Sequence, residues 1–120
     1  MKYFFDTYAL FEIVTHRPEY ARFFEEEIIT SSLNLGELSY GLLRERGKKT
    51  AQGWFDRMRH FLAPINEESV KNAMEFKFEH RGEKFSYIDC IGYQLAKDNK
   101  LMFLTGDREF EGIENVEFVK

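Results

Sequence analysis

One cysteine, Cys90, is too few for an intrachain disulfide framework. With thiols this scarce, zinc ligation would fall to His16, His60 and His80, which are not spaced as ligands. Prolines are also few, and Pro18 and Pro64 each read as the boundary of an element. No run of 18 apolar residues exists, so no membrane-spanning helix is expected. The apolar opening, MKYFFDTYALFEIV, is interrupted by Asp6 and Glu12 and is followed by no Ala-x-Ala cleavage site. It reads as a buried strand, not as a signal peptide, and a cytoplasmic location follows as the expectation. Internal repeats and low-complexity tails are absent as well.

What is present is a core-forming composition. The 120 residues are 43% hydrophobic and include 13 Phe, enough for one domain spanning residues 1–120. The net charge of -4 is unevenly placed. Residues 44–60 carry six Lys or Arg against two acids, while the segments on either side are acidic on balance. Taken singly, Arg44, Arg46, Lys48 and Lys49 read as solvated helix positions. Together they form a basic edge suited to phosphates.

Strand and helix signals alternate from end to end. Lys2 to Phe5 reads as a first strand leading into a helix over 8–15, and Pro18 starts a second helix with Tyr20, Phe23 and Phe24 on its buried side. Ile28 to Ser31 reads as a second strand, and Asn34 as the cap of a helix through Arg46 that Gly47 stops. A helical stripe of Trp54, Met58, Phe61 and Leu62 ends at Pro64, with a short third strand expected over Leu62 to Ile65. Helices over Glu67–Glu79 and Ser86–Lys97 precede a strand over Lys100–Leu104, a turn at Gly106–Glu111 and a last strand at Val116–Val119. This order predicts an α/β/α sandwich around a central, mainly parallel sheet of four or five strands.

Four carboxylates stand where such a fold could turn them toward one end of its sheet: Asp6, Glu37, Asp89 and Asp107. Each has a structural explanation of its own. Asp6 and Asp107 could cap helices, Ser86-x-x-Asp89 matches a capping box, and Glu37 could serve the helix dipole or Arg44. Their combination asks for more, because clustered carboxylates repel one another and have raised pKa values unless a cation is present. Mg²⁺ or Mn²⁺ would remove that penalty and activate a water for phosphodiester hydrolysis. Thr105 could support the cluster through its hydroxyl.

The set Phe5-Asp6-Thr7, Glu37, Ser86-x-x-Asp89 with Ile91, and Leu104-Thr105-Gly106-Asp107-x-x-Phe110 resembles PIN-domain ribonucleases, especially the VapC-like toxins of prokaryotic toxin-antitoxin pairs. The resemblance implies a PIN fold, an Mg²⁺- or Mn²⁺-dependent endoribonuclease, and Asp6, Glu37, Asp89 and Asp107 as catalytic and metal-binding acids with Thr105 as the supporting hydroxyl. It also implies RNA as substrate, an antitoxin protein as partner, and a homodimer, for which Tyr20, Phe23, Phe24, Trp54 and Phe55 are the expected aromatic surface. Gly106 departs from the family, where Arg or Asn is frequent, and Glu109 is a candidate compensating ligand through water. The alternative function is a catalytically weak PIN-fold module for RNA or protein binding. A phosphoacceptor receiver domain and a haloacid-type phosphatase are disfavoured, since Asp6-Thr7-Tyr8 supplies neither adjacent acids nor Asp-x-Asp.

Overall fold

The computed structural model describes residues 2–120. Three parallel strands form the centre: β1 (Tyr3–Phe5), β2 (Met102–Thr105) and β3 (Val116–Phe118), in the order β1-β2-β3. Two single parallel bridges extend the sheet beyond β1, Phe4 with Ile29 and Thr30 with Leu62. Five segments therefore align, and by chain order they run third, second, first, fourth, fifth across the sheet. The direction of winding reverses between β1 and β2. In open parallel sheets such a reversal leaves a crevice at the carboxyl ends of the strands.

The expected strands at 28–31 and 62–65 shrink to these bridges for local reasons. Residue 31 already caps the next helix, and the Thr30 hydroxyl donates to the Phe5 carbonyl at 2.7 Å. On the outer side, Ala63 N–H reaches the Thr30 carbonyl at 2.8 Å, and Pro64 has no N–H with which to continue.

Side chains alternate across the sheet, which divides the core in two. Phe5 and Leu104 face one layer, made by α1 (Thr7–Val14), the 3₁₀ turn Pro18–Phe23, α2 (Ser32–Arg46) and α3 (Lys48–Met58). Phe4 and Phe103 face the other, made by α4 (Glu67–Glu79) and α5 (Tyr87–Asp98). The segment after Pro18 is a 3₁₀ helix instead of an α-helix. Tyr20 and Phe23, three residues apart, eclipse on that tighter spiral and both enter the core. They are 0% and 2% exposed, so they cannot form a dimer surface, and Trp54 and Phe55 pack half-buried against the same core. Of the five aromatics expected at a dimer face, only Phe24 is exposed.

α2 begins earlier than the sequence predicts. Ser31, not Asn34, is its cap: the Ser31 hydroxyl accepts from Asn34 N–H at 3.1 Å, and Asn34 lies buried in the first turn. Gly47 ends α2 and begins α3 at φ +90°, a conformation open to glycine at little cost. Among the described residues, no helix is long and apolar enough to cross a membrane.

Candidate active site

Three of the four acids are held by local helix chemistry. Asp6 directly follows β1 and caps α1, its Oδ1 accepting from Ala9 N–H at 2.8 Å. Thr7, the rival cap, is left free for another partner. Ser86 and Asp89 form the reciprocal capping box of α5, with Asp89 Oδ2 accepting from Ser86 N–H at 2.9 Å and Asp89 N–H donating to Ser86 Oγ at 3.0 Å. Asp107, two residues beyond β2, caps a short 3₁₀ turn by accepting from Glu109 N–H at 3.0 Å. Each cap named here occupies one carboxylate oxygen, and a carboxylate has two. Capping thus leaves each acid able to serve a second partner.

Asp6 and Asp107 flank the crevice between β1 and β2 where the winding reverses. Asp6 is 3% exposed, and burial pushes its carboxyl up to about 7. The Thr105 hydroxyl and the Ala9 N–H oppose that rise, while the charges of Asp89 and Asp107 add to it. Burial likewise raises Asp89, against its Ser86 hydrogen bonds, with Asp107 and Glu37 contributing repulsion. Electrostatic coupling therefore joins Asp6 to Asp89 and Asp107, and Asp89 to Asp107 and Glu37. Among the described residues, no three Asp, Glu, His or Cys side chains form a ready-made ligand cage.

Glu37 is placed by contacts that cross the fold. The Thr7 hydroxyl donates to Glu37 Oε1 at 2.5 Å, Asn34 Nδ2 donates to Thr7 Oγ1 at 3.1 Å, and the Ser31 hydroxyl donates to Asn34 Oδ1 at 2.6 Å. This relay ties α2 to the residue following Asp6. Gly92 on α5 makes room for it, since a Cβ there would stand 3.3 Å from Asn34 Oδ1 and 3.1 Å from the Phe4 ring. Sequence reasoning missed Asn34 as a positioning residue. Its one signal was a polar side chain three residues before Glu37, on the same helical face. The expected Glu37–Arg44 pair does not form, and Arg44 instead lies 3.4 Å from Glu45.

Thr105 is fully buried, and its Oγ1 accepts from Asp107 N–H at 3.0 Å, which fixes the turn that carries Asp107. Gly106 between them has a steric explanation. A Cβ at 106 would meet Tyr8 Cε1 at 2.2 Å and the Val119 carbonyl oxygen at 2.5 Å. The Tyr8 ring fills the space that a larger side chain would need. Glu109 Oε1 accepts from Lys84 N–H at 2.9 Å and ties down the loop before α5, an occupation of one of its two carboxylate oxygens. Beside Asp89, Cys90 is fully buried, and burial pushes its thiol up to about 11, with Lys77 opposing.

The basic residues occupy the α2–α3 corner. Arg44 and Arg46 lie in the last turn of α2, Lys48 and Lys49 in the first turn of α3, and all four are exposed. Among the described residues, Arg46, Lys48 and Lys49 have no acidic partner within salt-bridge distance. Arg44 and Arg46 stand about 10 Å and about 14 Å along the helix axis from Glu37, at 1.5 Å per residue.

The fold is similar to several known structures. A sarcin-ricin-loop-cleaving toxin, VapC20 of Mycobacterium tuberculosis, is similar with a TM-score of 0.77 at 17% identity, covering 97% of this chain and 99% of that one. A toxin-antitoxin complex from Klebsiella pneumoniae gives 0.78 at 18% identity over 97% and 96%. The DNA-bound VapBC of Salmonella typhimurium gives 0.76 at 20% identity over 98% and 96%. At these identities the likeness is one of fold. No curated protein sequence matches the chain. The sequence profile of the PIN domain matches residues 3–116, nearly the full length, and the chain belongs to the PIN domain family.

Proposed function

We propose that this protein is a divalent-metal-dependent endoribonuclease, with Mg²⁺ or Mn²⁺ as its cation, acting as the toxin of a toxin-antitoxin pair. The observation that carries this reading is Asp6. A carboxyl buried at the crevice of a parallel sheet, pushed up to about 7 and electrostatically coupled to two further acids, is a group that a bound cation would stabilise. The donor set is chemically suitable, because Asp6, Asp89, Asp107 and Glu37 offer only hard carboxylate oxygens. A preformed cage is not required: Mg²⁺ is usually held by one or two carboxylates, with waters and substrate phosphates completing its shell.

When bound, the cation lowers the pKa of a water and neutralises charge on the phosphate. Asp6 and Asp89, with Asp107, are the residues that would hold it. Thr105 keeps the Asp107 turn in place. Glu37 is the acid open to solvent, and with one oxygen fixed by Thr7 its other oxygen can orient an attacking water. Arg44, Arg46, Lys48 and Lys49 bind the RNA backbone on its way to the acids. An antitoxin partner is supported by neighbours of the same fold that are toxin-antitoxin complexes. A homodimer would show a mass of twice 14.3 kDa in light scattering.

The test is cleavage of a defined single-stranded RNA with Mg²⁺ or Mn²⁺ against a chelator control, using the parent and Asp6→Asn. Metal-dependent products ending in 5′-phosphate and 3′-hydroxyl support the reading. The competing reading, a weak RNA- or protein-binding module, draws on the fact that three of the four acids already serve as caps. Equal, metal-independent behaviour of parent and Asp6→Asn would favour it.

A further inference from the structure

A cavity of about 530 Å³ opens beside the acids, within the range of roughly 300–1,000 Å³ typical of small-molecule sites. Thr7 and Glu37 form its acidic end, Phe11 and Ile88 its apolar walls, and Tyr40 and Arg44 its far side. Tyr40 is the most exposed large hydrophobic residue among those described, at 66%. It lies one turn from Glu37 and one turn from Arg44, so the three share a face of α2. The Arg44 guanidinium sits 5.4 Å from the Tyr40 ring centroid. Along the axis, Tyr40 is only about 5 Å from Glu37 at 1.5 Å per residue.

We propose that this cavity is a nucleobase subsite, in which one base of single-stranded RNA, next to the phosphate at the acids, stacks on Tyr40 beside Arg44. The inference rests on the nuclease reading for its substrate class and adds to it a residue that reads the strand. Three features favour a base over an apolar side chain of a protein partner. Glu37 belongs both to the cavity and to the acid site, so an occupant is continuous with whatever reaches the acids. The cationic far side suits a polyanion. An exposed tyrosine on a rigid helix, with a guanidinium near it, is the kind of platform on which bases of any identity stack.

The glycines of α2 shape the space. At Gly41 a Cβ would strike Phe11 Cζ at 2.4 Å, so this glycine lets α1 close the wall. At Gly36, another lining residue, nothing lies within 4 Å of a Cβ. A larger side chain at 36 therefore meets no steric barrier in the fold and enters the cavity.

The experiment measures binding of a short single-stranded oligoribonucleotide to the Asp6→Asn protein and to that protein carrying Tyr40→Ala, Tyr40→Phe or Gly36→Leu. Melting curves confirm that each variant is folded. Tyr40→Ala should weaken binding about 10-fold, the scale of one lost base–aromatic stack. Tyr40→Phe should bind like the parent, since the ring stacks and the hydroxyl does not, and Gly36→Leu should weaken binding by filling the site. An oligonucleotide lacking the base nearest the acids should no longer distinguish Tyr40→Ala from the parent. Binding unchanged in both Tyr40→Ala and Gly36→Leu overturns the subsite, even where metal-dependent cleavage by the unsubstituted protein keeps the nuclease reading intact. Conversely, Tyr40-dependent binding without cleavage by the unsubstituted protein upholds the subsite and removes the nuclease reading. Tyr40 ring resonances that move with a protein partner and not with the oligonucleotide would assign the cavity to protein and overturn the inference.

Discussion

Asp6 and Glu12 are buried acids at opposite ends of α1, and the chain treats them differently. Glu12 is 8% exposed, and its Oε2 lies 3.0 Å from Arg17 Nη1, a cation supplied five residues later in the sequence. That contact is an ion pair without hydrogen-bond geometry at the Oε2 atom. Asp6 is 3% exposed and is given Thr105, a backbone N–H and the repulsion of Asp89 and Asp107. Burying a carboxylate without a counterion is costly. The protein meets that cost with its own arginine at one end of the helix and leaves it standing at the other. On the proposed reading, an acid left in this condition at a sheet crevice is where a cation from outside would bind.

The largest expected effect comes from removing the unbalanced acid. Asp6→Asn should lower RNA cleavage by roughly 100- to 1,000-fold, the range seen when one preorganised electrostatic partner is removed from an active site. It should leave the fold intact, because Asn is also a good helix cap. Steady-state cleavage and a melting curve check both halves of this expectation.

Next in size is the pH dependence of the cation-free protein. Below about pH 3.8 the Asp6 carboxyl is protonated in folded and unfolded chains alike, so it contributes nothing. As pH rises toward about 7, the unfolded chain ionises while the folded one retains its proton, and stability falls. At 1.36 kcal/mol per pKa unit the loss approaches about 4 kcal/mol above pH 7. Chemical denaturation with chelator at pH 5 and pH 8 should show a decline that Asp6→Asn flattens. Added Mg²⁺ or Mn²⁺ should restore stability most strongly at the higher pH. An unchanged pH slope in Asp6→Asn would mean that Asp6 is not the buried acid responsible for the decline.

Arg17→Ala would turn Glu12 into a second Asp6. Because Arg17 is itself exposed, a modest loss of stability is expected, less than for a fully buried pair. Arg17→Lys should recover part of it, and denaturant midpoints measure both. The smallest expected effect concerns the exposed cations of the α2–α3 corner. Replacing Arg44, Arg46, Lys48 and Lys49 together with Gln should reduce the salt slope of RNA binding by up to about 3, at 0.7 per phosphate contact on a single strand. Metal binding should not change, and an identical slope would remove the α2–α3 corner from the RNA path.

What could be read from the sequence was what depends on near neighbours in the chain. Asp6 after a short aromatic strand, the Ser86–Asp89 box and the stop at Gly47 are all fixed within four residues, and the structure has each of them. The alternating order of elements gave the parallel sandwich, although two strands contract to bridges because a cap and a proline end them early. The Thr7–Asn34–Glu37 relay was hidden because its partners are 27 and 30 residues apart and meet only through packing. The Glu109 contact was hidden for the same reason, since its partner is the backbone of Lys84 across the fold. The aromatic surface was overestimated because periodicity gives a buried side without saying that a 3₁₀ turn will drive both Tyr20 and Phe23 into it.

The placement of Cys90 gives the molecule an internal clock. Its thiol is fully enclosed and, at about 11, is ionised in only about one molecule in a thousand at pH 8, so alkylating reagents must wait for the surrounding structure to open. The rate of labelling then reports how often α5 comes away from the sheet. Asp89 is the preceding residue in the chain, and a cation that draws the acids together should slow that opening. Occupancy of the proposed metal site could thus be timed at a sulfur atom one residue from its candidate ligand, with no RNA and no catalysis involved.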